Sequence, residues 1–347
     1  MPPAAKRAPE YYPPLPLVLS LIDTALDRDE AFSARWPVGE LRKVREALEY
    51  VIFALLEFRL RNVQPHYQKF FLNLYDVIPP KDVTVLSLNY DIIADNAMAA
   101  IPTDEDHPAL PDYRCDIATE AYRQAPKRGA LLKLHGSLNW LYCPNCNRLE
   151  LGMATRGLRT AKMLRELYES ARAAENVGKK YGGYNNLETK YEGHDSTPCK
   201  DCAAPLRAVL ITPTHRKDYR NPHIGRVWYQ AARALRESER AIFVGYSMPE
   251  DDVEVIYLFK RGLGELTPRA ITVVEYTAGV ATALDEHPVG LRYRALFGNE
   301  IDWRTDGFEG WMYHATRERF APPPARTRRS SPAKASRRRT RASAVAS

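Results

Sequence analysis

Two hydrophobic periods succeed one another along the chain. Between residues 40 and 61, Val44, Leu48, Val51, Ile52, Leu55 and Leu56 recur at helical spacing, while Arg42, Arg45, Glu49 and Arg59 fall mostly off that stripe. This predicts an amphipathic helix with one buried face. Helices are also predicted over 16–29 and 65–75, so residues 1–80 read as an α-rich N-terminal part whose apolar stripes serve the core. After Pro79-Pro80 the period changes. Val83 to Asn89 (VTVLSLN) is a short β-branched and leucine run, the pattern of a strand buried in a parallel sheet, and a helix is expected over 91–100. Further strand runs lie at 130–134, 207–212, 240–244 and 269–275, with helices expected at about 160–175, 222–238, 249–263 and 305–319. Strands alternating with helices predict an α/β fold with a mostly parallel sheet.

One stretch breaks the rhythm. Residues 143–205 hold two cysteine pairs and a Gly/Tyr/Asn-rich segment at 178–186, and read as an insertion carrying its own small module within a domain spanning 81–320. From 321 onward the chain is rich in Arg, Ala, Ser and Pro without apolar periodicity, which predicts a disordered tail. No internal repeat is evident.

Charge is interpretable only after this division. The 347 residues carry 50 Lys+Arg and 43 Asp+Glu, a net +7. Eight basic and no acidic residues lie between Arg326 and Ser347, so the body is close to neutral and the basicity belongs to the tail. Arg337, Arg338 and Arg339 suit non-specific phosphate contact. Glycine is distributed just as unevenly: of 18 glycines, only Gly39 lies within residues 1–128. That excludes a glycine-rich phosphate loop near the start of this sequence. No apolar run approaches the roughly 20 residues of a membrane span, and the proline-rich start has no signal-peptide core; a soluble, cytoplasmic protein is expected, without membrane contact.

Four of the five cysteines form two C-x2-C pairs, Cys143/Cys146 and Cys199/Cys202. Two such knuckles can present four thiolates to one tetrahedral ion, with zinc expected in a structural role because no coordination position stays open. The 52 residues between the pairs exceed the usual ribbon gap. Cys115 reads as an isolated thiol.

Three other stretches sit at predicted strand ends, where α/β sheets place ligand-binding groups. Asn89 and Asp91 follow the first strand; they suit hydrogen bonds to a ligand, or capping of the next helix. His135, Gly136 and Ser137 follow the second. A histidine there suits a general base near neutral pH, and Gly136 permits close backbone approach. Gly245, Tyr246 and Ser247 precede the acidic run Glu250-Asp251-Asp252 and a helix start that favours an anion. Glu275, at the end of the next strand, is placed to meet ribose hydroxyls.

In this order, Leu88-Asn89-Tyr90-Asp91, Leu134 to Trp140 (LHGSLNW), the cysteine pairs and Val244 to Asp252 (VGYSMPEDD) resemble the sirtuin-like superfamily, particularly prokaryotic sirtuin-like domains of NAD-consuming defence proteins. The resemblance covers roughly residues 80–280. It implies a Rossmann-like NAD domain with a small zinc module and chemistry at the nicotinamide–ribose bond. On it, Asn89 would contact the nicotinamide ribose or attacking water, Asp91 the nicotinamide amide, and His135 would act as base, while Gly245 to Ser247 would line the adenosine side. Family members open with a strand and a Gly-Ala-Gly-x-Ser type loop. The chain opens instead on Tyr11-Tyr12-Pro13-Pro14-Leu15, so either its start lies downstream of the true one or the phosphate cradle is lost.

The resulting expectation is an NAD glycohydrolase, with an antiviral role, or an NAD-dependent deacylase, with NAD as substrate and structural Zn2+. The alternative is a catalytically degenerate, zinc-stabilised binding module that engages a protein partner or a second copy, with nucleic-acid contact through 326–347.

Overall fold

The computed structural model describes residues 12–59, 65–102, 109–154, 157–158, 198–204, 206–214, 217–280 and 282–313. The helix expected at 160–175, the segment 178–186 and the basic tail lie outside these residues.

The N-terminal helices form where the stripes predict them: α1 (Leu15–Arg28), α2 (Val38–Arg59) and α3 (Pro65–Val77). Prolines at the start of α1 lose nothing there, since the first helical N–H groups have no partner within the helix. The helix stops at Asp29, which adopts the left-handed conformation (φ 54°) and returns its N–H to the carbonyls of Ala25 and Leu26. Ile22 and Ala25 of α1 bury against Leu41 of α2, flanked by Val18, Val44 and Leu48.

The parallel part comprises two three-stranded sheets. In one, β1 (Thr84–Ser87) and β2 (Leu110–Asp112) flank β3 (Lys127–Lys133), with Thr84 opposite Ala130 and Ser87 opposite Lys133. In the other, β9 (Ala241–Val244) and β11 (Asp302–Arg304) flank β10 (Ile271–Val274). The helices α4 (Ile93–Ala99), α5 (Glu120–Gln124), α6 (Pro222–Glu237), α7 (Val253–Gly262), α8 (Pro288–Phe297) and α9 (Gly307–Tyr313) follow or separate the strands. Helix α6 shows how sequence sets a boundary: the Asn221 side chain accepts from the N–H groups of His223 and Ile224, and Ile224, Val227, Ala231 and Leu235 turn inward. One apolar core runs through both sheets, from Phe71, Leu131 and Trp140 to Phe243, Val273 and Trp311.

Two expectations change. Gly136 and Ser137 are expected beyond the end of a strand, but Gly136–Tyr142 is itself a strand, β4, soon after β3. The run at 207–212 is β8 (Arg207–Leu210), and it pairs antiparallel with β4 rather than joining the parallel sheet. With β5 (Leu149–Leu151), these strands form a third, antiparallel sheet in the order β5-β4-β8. The cause lies at Gly136, whose φ of +82° redirects the chain as it leaves β3. A short hairpin, β6 (Met153–Ala154) and β7 (Gly157–Leu158), follows.

Candidate functional site

Parallel pairing puts the residues after β1 and β3 at the same sheet end. Tight bonds join them there. His135 Nδ1 lies 3.1 Å from the carbonyl oxygen of Leu88 and donates its proton to it. The Tyr90 carbonyl accepts from Leu138 N–H at 2.8 Å and from Ser137 Oγ at 3.5 Å, and the Tyr90 hydroxyl donates to the Ile211 carbonyl. The turn 88–91 is thereby pinned to β4 and to the end of β8. Asn89 is exposed on that turn. Asp91 Oδ1 accepts from Ile93 N–H at 3.0 Å, so it also serves the start of α4. A cleft of about 360 Å³ opens beside Leu88, Asn89, Tyr90 and Asp91, walled on its other side by Ile52 and Leu56 of α2. Helix α2, whose apolar stripe reads from sequence as core, therefore contributes to the candidate site.

With Nδ1–H donated to a carbonyl, the neutral His135 ring keeps its lone pair on Nε2, a buried atom without a hydrogen-bond partner. Burial is the main reason its pKa falls to about 4, reinforced by the nearby Lys217 ammonium and opposed by the bond to Leu88. Near pH 7 the ring is a neutral acceptor. The stability consequence has a definite sign: folding disfavours protonation, so the contribution is complete above pH 6.5 and is lost as the pH falls toward 4. A loss of about 3 kcal/mol is expected across that window. Urea denaturation at pH 7 and pH 4.5 should show it, and His135→Gln should flatten the dependence.

Sequence reasoning missed two neighbours. Lys217 forms an ion pair with Asp252, both side chains being nearly buried; Asp252 also accepts from the Tyr246 hydroxyl at 2.9 Å. Tyr219 packs edge-on against Trp228, with ring centroids 4.7 Å apart, and its buried hydroxyl has no partner. The available signal was the position of His215-Arg216-Lys217-Asp218-Tyr219 (HRKDY) soon after a strand. Lys217 ties the His135 environment to the loop after β9.

That loop carries the later candidates. Gly245 has φ +62° and is exposed. Ser247 is exposed, and its carbonyl accepts from Arg292. The Tyr246 carbonyl accepts from Tyr293 at 2.8 Å. Glu275 stands at the end of β10, its carboxylate accepting from the N–H of Tyr276 at 3.0 Å. Gly136 and Ser137 are placed differently: both are buried in β4, and the close approach Gly136 permits is to the backbone of β8.

The four cysteines converge. Their Sγ atoms all lie within 4.8 Å of one another, with Cys143–Cys202 and Cys146–Cys199 each 3.4 Å apart. These separations bracket the roughly 3.8 Å edge of a tetrahedron with 2.3 Å Zn–S bonds, and far exceed a disulfide. The knuckles are built alike. Asn147 follows the first pair and Ala203 the second, both left-handed at φ 59° and 58°. Arg148 clamps the two together, with Nη1 at 2.8 Å from each oxygen of Asp201 and Nε at 2.8 Å from Glu150. The residues present fit Zn2+, held by Cys143, Cys146, Cys199 and Cys202. Cys115 stands apart from the cluster.

No protein-family model and no curated protein matches the chain. Solved structures do. A triple mutant of a Sir2 homologue in complex with 2'-O-acetyl ADP ribose matches at 14% identity over 83% of this chain and 82% of its own, with a TM-score of 0.41. The chain is similar to sirtuins. A Sir2 protein bound to a myristoylated histone peptide matches at 15% identity over 74% and 70%, TM-score 0.31. A structure concerning the mechanism and regulation of Sir2 enzymes matches at 13% identity, TM-score 0.30, over 68% of this chain and only 60% of its own length. Among the described residues, no helix is long and apolar enough to cross a membrane.

Proposed function

We propose that the protein is a sirtuin-like NAD-binding enzyme that hydrolyses the bond between nicotinamide and ribose, with the cysteine cluster holding a structural Zn2+. The observation that carries this reading is the state of His135: a neutral ring oriented by Leu88, with an unpartnered Nε2 beside the turn that bears Asn89 and Asp91. An acceptor so placed suits proton removal from a ribose hydroxyl or a water molecule. Hydrolysis breaks the glycosidic C–N bond, whose electron pair leaves with nicotinamide. Water oxygen bonds to the ribose carbon, and its proton passes to the base. Asn89, exposed on the turn, both donates and accepts, as contact with the ribose or the attacking water requires. Gly245, Tyr246, Ser247 and Glu275, at the ends of β9 and β10, are proposed for the adenosine side.

The test is nicotinamide release from NAD, followed by chromatography. His135→Ala and Asn89→Ala should each slow it by about 10²-fold or more, without lowering the melting temperature at pH 7 by more than a few degrees. Release that depends on an added acyl-lysine peptide would identify transfer to the acyl group instead of water. If the protein releases no nicotinamide in either format, the enzymatic reading fails and a binding role replaces it.

A further inference from the structure

Behind the turn lies a group of polar side chains that the proposed chemistry does not use. Lys133, Asp95 and Asn139 are fully buried, as is Tyr113. Lys133 interrupts the apolar run Leu131-Leu132-Lys133-Leu134 two residues before His135. Its Nζ donates to the main-chain carbonyl of Asp91 and lies 3.4 Å from Asp95 Oδ2. The Tyr113 hydroxyl donates to Asp95 Oδ1, and Asn139 Nδ2 donates to Tyr113 Oη at 3.2 Å. The chain of contacts thus crosses β3, α4, the segment after β2, and β4. It touches both sequence stretches that bear candidate catalytic groups, at Asp91 and at Asn139.

Stability alone does not account for this arrangement. Replacing a buried ion pair by apolar side chains of similar volume is often neutral or stabilising, and leucine would continue the run that surrounds Lys133. Burial pushes the Asp95 carboxyl upward, against the pull of Lys133, so the pair is held at a cost. What an apolar residue cannot supply is the bond to the Asp91 carbonyl, which is separate from the ties that Leu138 and His135 make to the carbonyls of Tyr90 and Leu88 earlier in the turn.

We propose that Lys133, Asp95, Tyr113 and Asn139 form a positioning network that sets the Asn89–Asp91 turn against His135. Lys133 is the residue that acts on the turn, and Asp95 and Tyr113 hold Lys133. The proposal rests on the NAD-hydrolysing reading for its catalytic consequence, but not for its structural one.

The test separates positioning from stability. Lys133→Met alone leaves Asp95 buried without its cation, and lowers the melting temperature. The double variant Lys133→Met with Asp95→Asn removes both charges and should melt within a few degrees of the native protein. Its kcat for nicotinamide release should nonetheless fall on the order of 10²-fold, the scale of a small misplacement of reacting groups, while Lys133→Arg with Asp95 retained recovers part of it. In hydrogen exchange without ligand, the amides of residues 89–93 should exchange at least about tenfold faster in the double variant, while those of β3 stay unchanged. If the double variant keeps native exchange at 89–93, the proposal is overturned. Native kcat in an equally stable double variant overturns it as well. If the native protein releases no nicotinamide, the hydrolase reading fails, and the exchange experiment still decides this one.

Discussion

Cys199→Ser is expected to abolish metal binding and to unfold the antiparallel sheet. Native protein should contain one zinc per chain by atomic emission, and the variant none. The reason for a large effect is the position of the cluster. Cys143 directly follows β4, and the Cys199–Cys202 knuckle lies just ahead of β8, so an ion held there would tie the two strands at the end remote from His135. Structural zinc contributes about 10–16 kcal/mol of binding energy in zinc-finger peptides at pH 7, comparable to the whole stability of a typical domain. The cluster's own apolar support is small, confined to Leu141 and Leu206 with Ala204 at its edge. A fall in melting temperature of more than 15 °C is therefore expected, with the same loss on treating native protein with a strong chelator. Retention of full zinc by Cys199→Ser would remove Cys199 from the ligand set.

Gly136→Ala carries the second large effect. A Cβ at this position would stand 1.9 Å from the carbonyl oxygen of Val209 and 2.7 Å from its carbonyl carbon, and the backbone sits at φ +82°. Neither neighbour is a side chain that can swing aside. Backbone strain of about 1–3 kcal/mol adds to an overpacking cost of similar size. A destabilisation of at least about 3 kcal/mol by urea denaturation is expected. Ala at Gly245, where nothing lies within 4 Å, bears only the conformational cost and should lose less. Equal losses at the two sites would mean that the β4–β8 contact is not the constraint at Gly136.

Much of this architecture was legible in the sequence, for identifiable reasons. The N-terminal helices were legible by their apolar periodicity, although Val51 and Leu55 of the α2 stripe, expected to be buried, are exposed. The strands β1, β3, β9 and β10 were legible as short β-branched or leucine runs, and the cysteine pairs by their spacing. Strand β4 was not. Its residues are nearly all buried on both faces, so no alternation marks it, and Gly136, Ser137 and Asn139 lend it the composition of a loop. Short strands such as β2 and β11 have three residues each, too few for a period. The site was only half legible. Asn89, Asp91 and His135 stood at strand ends and could be named. Lys133 was hidden inside an apolar run, where a charge usually argues against burial, and Asp95 in a short helix. Lys217 needed a tertiary contact that spacing does not encode, since its partner Asp252 belongs to a different strand end. At Gly136 the sequence could show the need for close approach but not that the backbone of β8 lies against it.

The shoulder-to-shoulder placement of the knuckles, locked by Arg148 and Asp201, also bears on how this protein can vary. The chain between Cys146 and Cys199 leaves from and returns to one point. The first part of that excursion is itself structural, because β5 pairs with β4 and buries Leu149 and Leu151 in the core. Doubling the length of a closed loop costs only about 0.6 kcal/mol of closure entropy, whereas removing residues 149–151 would forfeit two buried leucines. A change of length between the two knuckles is therefore expected to be tolerated only where it spares β5 and keeps both knuckles in place.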